Sequence, residues 1–284
     1  MKKSDRDNSG FHFPINKLNL TNTRNFCIED LVREHFEKED YIDIGHENTP
    51  IYDLFFHLCF EKFLLKPNWK KWGRNETIKD YPHLIDHLDY PFETKKQYTN
   101  PILQEDVKNI KTYREWVWKH FCNVPFEWMF SYECLKGGGN YFLFGEGVYY
   151  QIFKEEIDDF IDNQLPKRNL SSLIKENYEK VKVMREEYPT LFIWGGTEDT
   201  EPIEIIYENL PLKLVQFILK KQFENFHRYR SGFMDCWMWN EKEKHLKLVE
   251  VKRVREKIIE HQVWWLNKFY EYGVDVSVIR VNVI

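Results

Sequence analysis

Near the C-terminus, the run Leu246-Lys247-Leu248-Val249-Glu250-Val251-Lys252 constrains this chain more than any other segment. Its length and its aliphatic and β-branched residues suit a strand. Side chains alternate between faces along a strand, so Leu246, Leu248, Glu250 and Lys252 share one side. A carboxylate and an amine are thereby placed at the end of a mostly apolar face. The surrounding pattern predicts a helix over about Leu212–His227, a strand over Phe233–Trp239, a charged turn, and then the 246–252 strand. A helix with Ile258, Ile259, Gln262, Trp265, Leu266 and Phe269 on one side follows, and a strand over Val274–Val283 closes an α/β unit.

A hairpin centred between Lys242 and Glu243 pairs Asp235 with Glu250. Two carboxylates then face one another at about 5 Å, which is unfavourable without a counter-ion. A divalent cation removes the conflict, and oxygen ligands select a hard ion such as Mg²⁺ or Mn²⁺. Such an ion lowers the pKa of bound water and stabilises charge developing on a phosphate. Lys252 is placed to orient or deprotonate that water, or to neutralise the pentavalent state. A Glu-x-Lys pair in a strand also occurs as a plain surface ion pair, and spacing alone leaves both readings open.

Composition narrows the setting. With 42% hydrophobic, 17% aromatic and 31% charged residues in 284, the chain is a globular one with enough material for a real core. No run approaches the roughly 18 apolar residues of a spanning helix, and no signal-peptide core follows the first lysines. The five cysteines are scattered without paired spacing, which fits reduced thiols in an intracellular protein. A net charge of −5 argues against a protein that coats nucleic acid by bulk positive charge. Between Lys213 and Lys257, however, twelve Lys or Arg stand against six Asp or Glu, a local excess that suits phosphate contact as well as an ordinary solvated face.

Toward the N-terminus, residues 1–20 lack periodicity and read as a flexible arm. Ile28, Leu31, Val32, His35 and Phe36 repeat at helical spacing, as do Ile51, Leu54, Phe55, Leu58 and Cys59. The stretch from Asp43 to Pro50 reads as the connection between these two helices, with Thr49 as N-cap and Pro50 at the first helical position. Further helices are expected over Tyr113–Phe121 and Glu155–Gln164. Gly137-Gly138-Gly139 lacks the Gly-Lys-Ser/Thr of a phosphate loop and reads as a turn.

Taken together, Arg230-Ser231-Gly232-Phe233-Met234-Asp235, LKLVEVK and Gln262-Val263-Trp264-Trp265-Leu266 resemble the VRR-NUC branch of the PD-(D/E)xK nucleases. Within that branch they are most similar to the Fanconi-anaemia-associated nuclease family. The likeness extends to Ile28-Glu29-Asp30-Leu31 and to Gly45-His46-Glu47 before an aromatic helix. It covers about residues 24–65 and 190–284. Met234 replaces the family's proline before the catalytic aspartate, and Arg253-Val254 replaces the Gly-Pro after Glu-x-Lys.

The resemblance implies a restriction-endonuclease-like core, a central mixed sheet flanked by helices, with a large, mostly helical N-terminal part. It divides the chain into the arm at 1–20, a helical region at 21–110 that contributes Glu47, a helical insertion at 111–190 and the nuclease core at 191–284. It implies a short member without the regions that precede the core in large relatives. Glu47, Asp235, Glu250 and Lys252 would be catalytic, and Glu47, Asp235, Glu250 and the Val251 carbonyl would hold Mg²⁺ or Mn²⁺. Gln262 would support them, and Arg228, Arg230, Arg253 and Arg255 would contact DNA. The implied activity is metal-dependent, structure-selective cutting of DNA near 5′ flaps and from 5′ ends, in DNA repair or processing, by a monomer acting on branched or flapped DNA. The alternatives are a dimeric junction resolvase and a non-catalytic DNA-binding module derived from a nuclease.

Overall fold

The computed structural model describes residues 12–20, 27–65, 67–68, 73–91, 110–134, 143, 145–187 and 200–284. Its organising element is a five-stranded mixed sheet in the order β1-β5-β4-β3-β2. The strands are β1 (Ile15–Leu20), β2 (Ile42–His46), β3 (Cys236–Asn240), β4 (His245–Arg253) and β5 (Asp275–Val283). β3 and β4 form the antiparallel hairpin, β4 and β5 run parallel, and β1 adds to β5 in parallel. The longer helices are α1 (Ile28–Glu37), α2 (Thr49–Cys59), α3 (Tyr113–Phe121), α4 (Leu170–Glu187), α5 (Glu201–Asn209), α6 (Leu212–Glu224) and α7 (Glu260–Glu271).

Both faces of β4 are covered, which is why its sequence is so apolar. Leu246 and Leu248 join Val276, Val278, Trp237 and Trp239 in the larger core, on the side of α7. Val249 and Val251 join Ile279, Val281, Cys236 and Met238 in a second core under Ile28, Val32 and Phe36 of α1. α7 seals the first side with Trp265, Leu266 and Phe269, and the Phe233 and Trp265 ring centroids lie 4.3 Å apart. Truncating the fully buried Trp265 to alanine would cost about 3–5 kcal/mol. α2 is buried from Pro50 to Cys59 and packs against α4, α5 and α6, so its pattern is apolar almost all round. Its side chains belong to the same core cluster as α7 and the inner face of β3 and β4.

The structure corrects three expectations near the N-terminus. Part of the stretch read as a flexible arm, Ile15–Leu20, is a strand. Its alternation is weak because it is an edge strand, held chiefly by backbone pairing to β5, with Ile15 opposite Val278. The presumed connection after α1 contains β2, paired to β3 across an irregularity between Asp43 and His46. The helix also starts one residue early, with Thr49 inside it and Asn48 at the N-cap. The Asn48 side chain is spent elsewhere, accepting from the Phe233 amide at 3.3 Å.

Other elements follow the periodicity. The helix from Leu212 ends at Glu224 because Asn225 is extended, and a short helix at Phe226–Tyr229 follows, capped by the Asn225 side chain. Tyr113–Phe121 is helical, and Lys154–Gln164 is a helix whose second half is wound as a π-helix. The triple glycine 137–139 lies outside the described residues.

Candidate active site

The site is built where β3 begins and β4 ends. β3 and β4 pair in the expected register, from Cys236 opposite Val249 to Asn240 opposite His245. Carrying that register one step further sets Asp235 opposite Glu250, although Asp235 lies just before β3. Its carboxylate extends the ladder in place of the backbone, since Oδ2 accepts the Val251 amide at 2.7 Å.

Glu250 is fully buried and Lys252 is 7% exposed. Glu250 Oε1 accepts from Lys252 Nζ at 2.5 Å and from Gln262 Nε2, on α7, at the same distance. Charge-assisted hydrogen bonds of this kind are short and strong. The other oxygen, Glu250 Oε2, is buried with no hydrogen-bond partner among the described residues. An ionised carboxylate oxygen left bare in the interior is costly, and it is the type of donor that a hard cation satisfies.

The electrostatics agree with that shortage of positive charge. Burial pushes Asp235 up to about 6, against the stabilising Val251 amide and Lys252, while Glu29 and Glu47 push it further. Burial and the neighbouring Asp235 charge push Glu250 up to about 8 despite Lys252. Burial would pull Lys252 down, but Glu250, Asp235 and Glu256 outweigh it and hold the ammonium above the ordinary lysine value. Three carboxyl-bearing residues acting on one buried lysine therefore keep it charged.

Glu47 reaches this region through its backbone. Its amide donates to the Asp235 carbonyl at 3.3 Å, and its own carbonyl accepts from Trp237 Nε1 at 3.1 Å. Its φ of 49° lies in the left-handed region, which glycine favours and other residues adopt only when their surroundings enforce it. The Glu47 carboxylate is exposed. As the side chains stand, no three His, Cys, Asp or Glu among the described residues gather closely enough to hold a metal ion. The donor chemistry fits a hard divalent ion; the side chains are not clustered around one.

The arginines divide into two groups. Arg253, the last residue of β4, and Arg255, on the turn after it, are both exposed. Arg230 leads into Gly232, whose Cα lies against the start of α7 at His261 and Gln262, and its carbonyl accepts from the Tyr52 hydroxyl. Arg228 lies apart from these, stacked over Tyr90 at 5.2 Å and Tyr229 at 5.5 Å. Sequence reasoning missed Glu29 and Glu256 as members of the site. Glu29 is in the first turn of α1, and only the packing of that helix on the sheet brings its charge near Asp235. Glu256 lies 3.8 Å from the Lys252 amine and follows it by one helical-type turn, a spacing that could have flagged it.

Residues 168–283 match the family model of the VRR-NUC domain. The chain is 30% identical to a Fanconi-associated nuclease 1 homolog of Caenorhabditis elegans over 114 residues, 38% of this chain and 13% of that protein. It is 35% identical to the Fanconi-associated nuclease 1 of Homo sapiens over 57 residues, 20% of this chain and 6% of that protein. The matched stretches are thus a small fraction of these relatives' length. In fold it is similar to a crystal structure of paFAN1 bound to DNA with a 2-nucleotide 5′ flap and a gap. That match has a TM-score of 0.56 and 16% identity, and covers 96% of this chain and 38% of the other. A second structure, with a 1-nucleotide 5′ flap, matches at a TM-score of 0.53 and 17% identity, over 95% and 38% of the two chains.

Proposed function

We propose, for a chain whose residues 168–283 match the VRR-NUC domain, that it is a metal-dependent DNA phosphodiesterase selective for DNA structure. The observation that carries this reading is Glu250, buried between Lys252 and Gln262 with one carboxylate oxygen unpartnered and Asp235 across the strand pair. Burying two acids side by side costs more than it returns in a purely structural core. A site that takes up a cation and a phosphate explains the arrangement.

Glu47, Asp235, Glu250 and the Val251 carbonyl would hold Mg²⁺ or Mn²⁺. When bound, such an ion supplies Lewis-acid activation of the scissile phosphate. Gln262 fixes the Glu250 carboxylate by its hydrogen bond, so that only one rotamer faces the site. Lys252 would orient or deprotonate the attacking water, or offset negative charge on the phosphate. Arg253 and Arg255 contact phosphates beside the cut, Arg230 meets them from the other wall, and Arg228 is a more distant contact.

The substrate in this reading is branched or flapped DNA, cut near 5′ flaps and from 5′ ends in repair or processing. The support is the fold shared with proteins solved on 5′-flap DNA. The protein would act as a monomer inside the cell, in the nucleus of a eukaryote. Among the described residues no helix is long and apolar enough to cross a membrane. The test is cleavage of 5′-flap oligonucleotides in Mg²⁺ or Mn²⁺ by the wild type, Asp235→Ala and Lys252→Ala. Loss of roughly a thousandfold or more in each variant is expected, and cutting at the wild-type rate rejects the assignment.

A further inference from the structure

β4 and β5 lie parallel with Lys252 directly opposite Arg280. Val278 and Glu250, two residues earlier on each strand, are paired in the same way, and Val278 belongs to the core beneath α7. Arg280 therefore stands on the active-site face, beside Lys252. Among the described residues it has no carboxylate within salt-bridge distance. Its Nη1 instead donates to three backbone carbonyls just beyond Lys252: Arg253 at 3.4 Å, Val254 at 3.3 Å and Glu256 at 2.8 Å.

This gathers the end of β4 and the turn after it, up to Glu256, around one guanidinium. The turn adds two bonds of its own, Glu256 N–H to the Arg253 carbonyl at 2.9 Å and Arg253 N–H to Glu256 Oε2 at 3.2 Å. No apolar packing holds it, since Arg253 to Lys257 are all exposed and Val254 is 42% exposed. Arg253, Arg255 and Lys257 surround the single acid Glu256, so the turn carries a net positive charge at the mouth of the site. A cation placed among three carbonyls adds to these bonds and ties the segment to β5.

We propose that Arg280 is a positioning residue for DNA: it braces the turn that follows β4, residues 254–256, so that Arg255 meets phosphate without first having to be ordered. The proposal rests on the reading of the site as a DNA phosphodiesterase. A pre-shaped turn spares the conformational entropy that binding would otherwise remove, so the brace is felt in affinity. Glu250 and Lys252 are held by β5 along one side, by the Asp235 carboxylate on the Val251 amide along the other, and by Gln262, so the chemical step is insulated from it.

The experiment compares full-length wild type, Arg280→Gln and Arg280→Lys on a 5′-flap oligonucleotide in Mg²⁺ or Mn²⁺, together with Kd for the same DNA and amide hydrogen exchange of the DNA-free proteins. In R280Q, Kd and KM rise about tenfold while kcat stays within about twofold, and exchange quickens at 254–257 but not at 246–252. R280K, whose ammonium still offers three donors, recovers most of the affinity. In the R255A background, R280Q adds less than about twofold, because both changes act through one turn. Unchanged exchange in the turn, an unchanged Kd, a loss confined to kcat, or full additivity with R255A overturns the proposal. If R280Q fails to fold, R280K decides alone: exchange quickened at 254–257 with Kd raised about two- to threefold at wild-type melting supports the brace, and a weaker Kd with unchanged exchange there overturns it. A wild type that binds the flap but never cuts it removes the enzymatic reading alone, and the affinities still judge the brace.

Discussion

Gln262 on α7 donates to the oxygen of Glu250 that also receives the Lys252 ammonium, while its own carbonyl oxygen accepts the Ile259 amide at 3.3 Å. One side chain thus caps a helix and aims a carboxylate, so the position of α7 is coupled to the geometry of the site. Gln262→Ala is expected to lower cleavage about 10- to 100-fold and to raise the Mg²⁺ or Mn²⁺ concentration needed for half-maximal rate. A metal titration of activity, run beside a thermal melt, checks this. A variant that loses activity only in proportion to lost folded protein would leave Gln262 with the cap alone.

Glu47 separates stability from activity. Its left-handed backbone, φ 49°, costs a residue with a Cβ roughly 1 kcal/mol that glycine would not incur. Glu47→Gly should therefore fold at least as stably as the wild type in urea melts, allowing for glycine's greater unfolded-state entropy, while cleavage of flap DNA falls by an order of magnitude or more. Wild-type turnover by this variant would remove Glu47 from the metal set.

Glu146 sets a pH dependence unrelated to the site. Burial pushes it up to about 7, against the opposing hydrogen bonds from Tyr90 at 2.9 Å and Asn225 at 3.3 Å, and its Oε1 has no partner among the described residues. A carboxyl held above its unfolded value of 4.5 binds its proton more tightly in the folded state. Its contribution is complete below about pH 4.5 and disappears as pH rises through about 7, a swing on the order of 3 kcal/mol. Glu146→Gln should flatten stability across that window and leave the variant more stable than wild type at pH 8. Urea denaturation at pH 5 and pH 8 measures both, and parallel pH slopes for the two proteins would contradict the expectation.

The hairpin and its register were legible from the sequence because two apolar runs flank a four-residue charged turn centred on Lys242-Glu243. Glu250, Lys252 and Gln262 are placed by local periodicity alone, and the structure joins them through hydrogen bonds. β1 and β2 were not legible. Ile15–Leu20 has no fully buried residue, and β2 contains Gly45 and a register irregularity, so each strand depends on its partner more than on its own residues. Glu29, Glu47 and Arg280 depend on distant elements meeting. No pattern within their own segments states that the start of α1 lies near Asp235, or that a residue on β5 reaches back over the end of β4.

The sheet joins residues 15–20 to residues 275–283, and Glu47 to a strand almost two hundred positions later. Pairings of such separation close last, after the intervening helices have collapsed. During synthesis, β1 must wait for β5 to leave the ribosome before it has a neighbour, and Asp235 emerges before the strand that flanks Glu250 on its far side. A chain made only as far as Glu250 therefore has its acids but lacks the strand beside them, so on the proposed reading it cuts no DNA until β5 has been delivered.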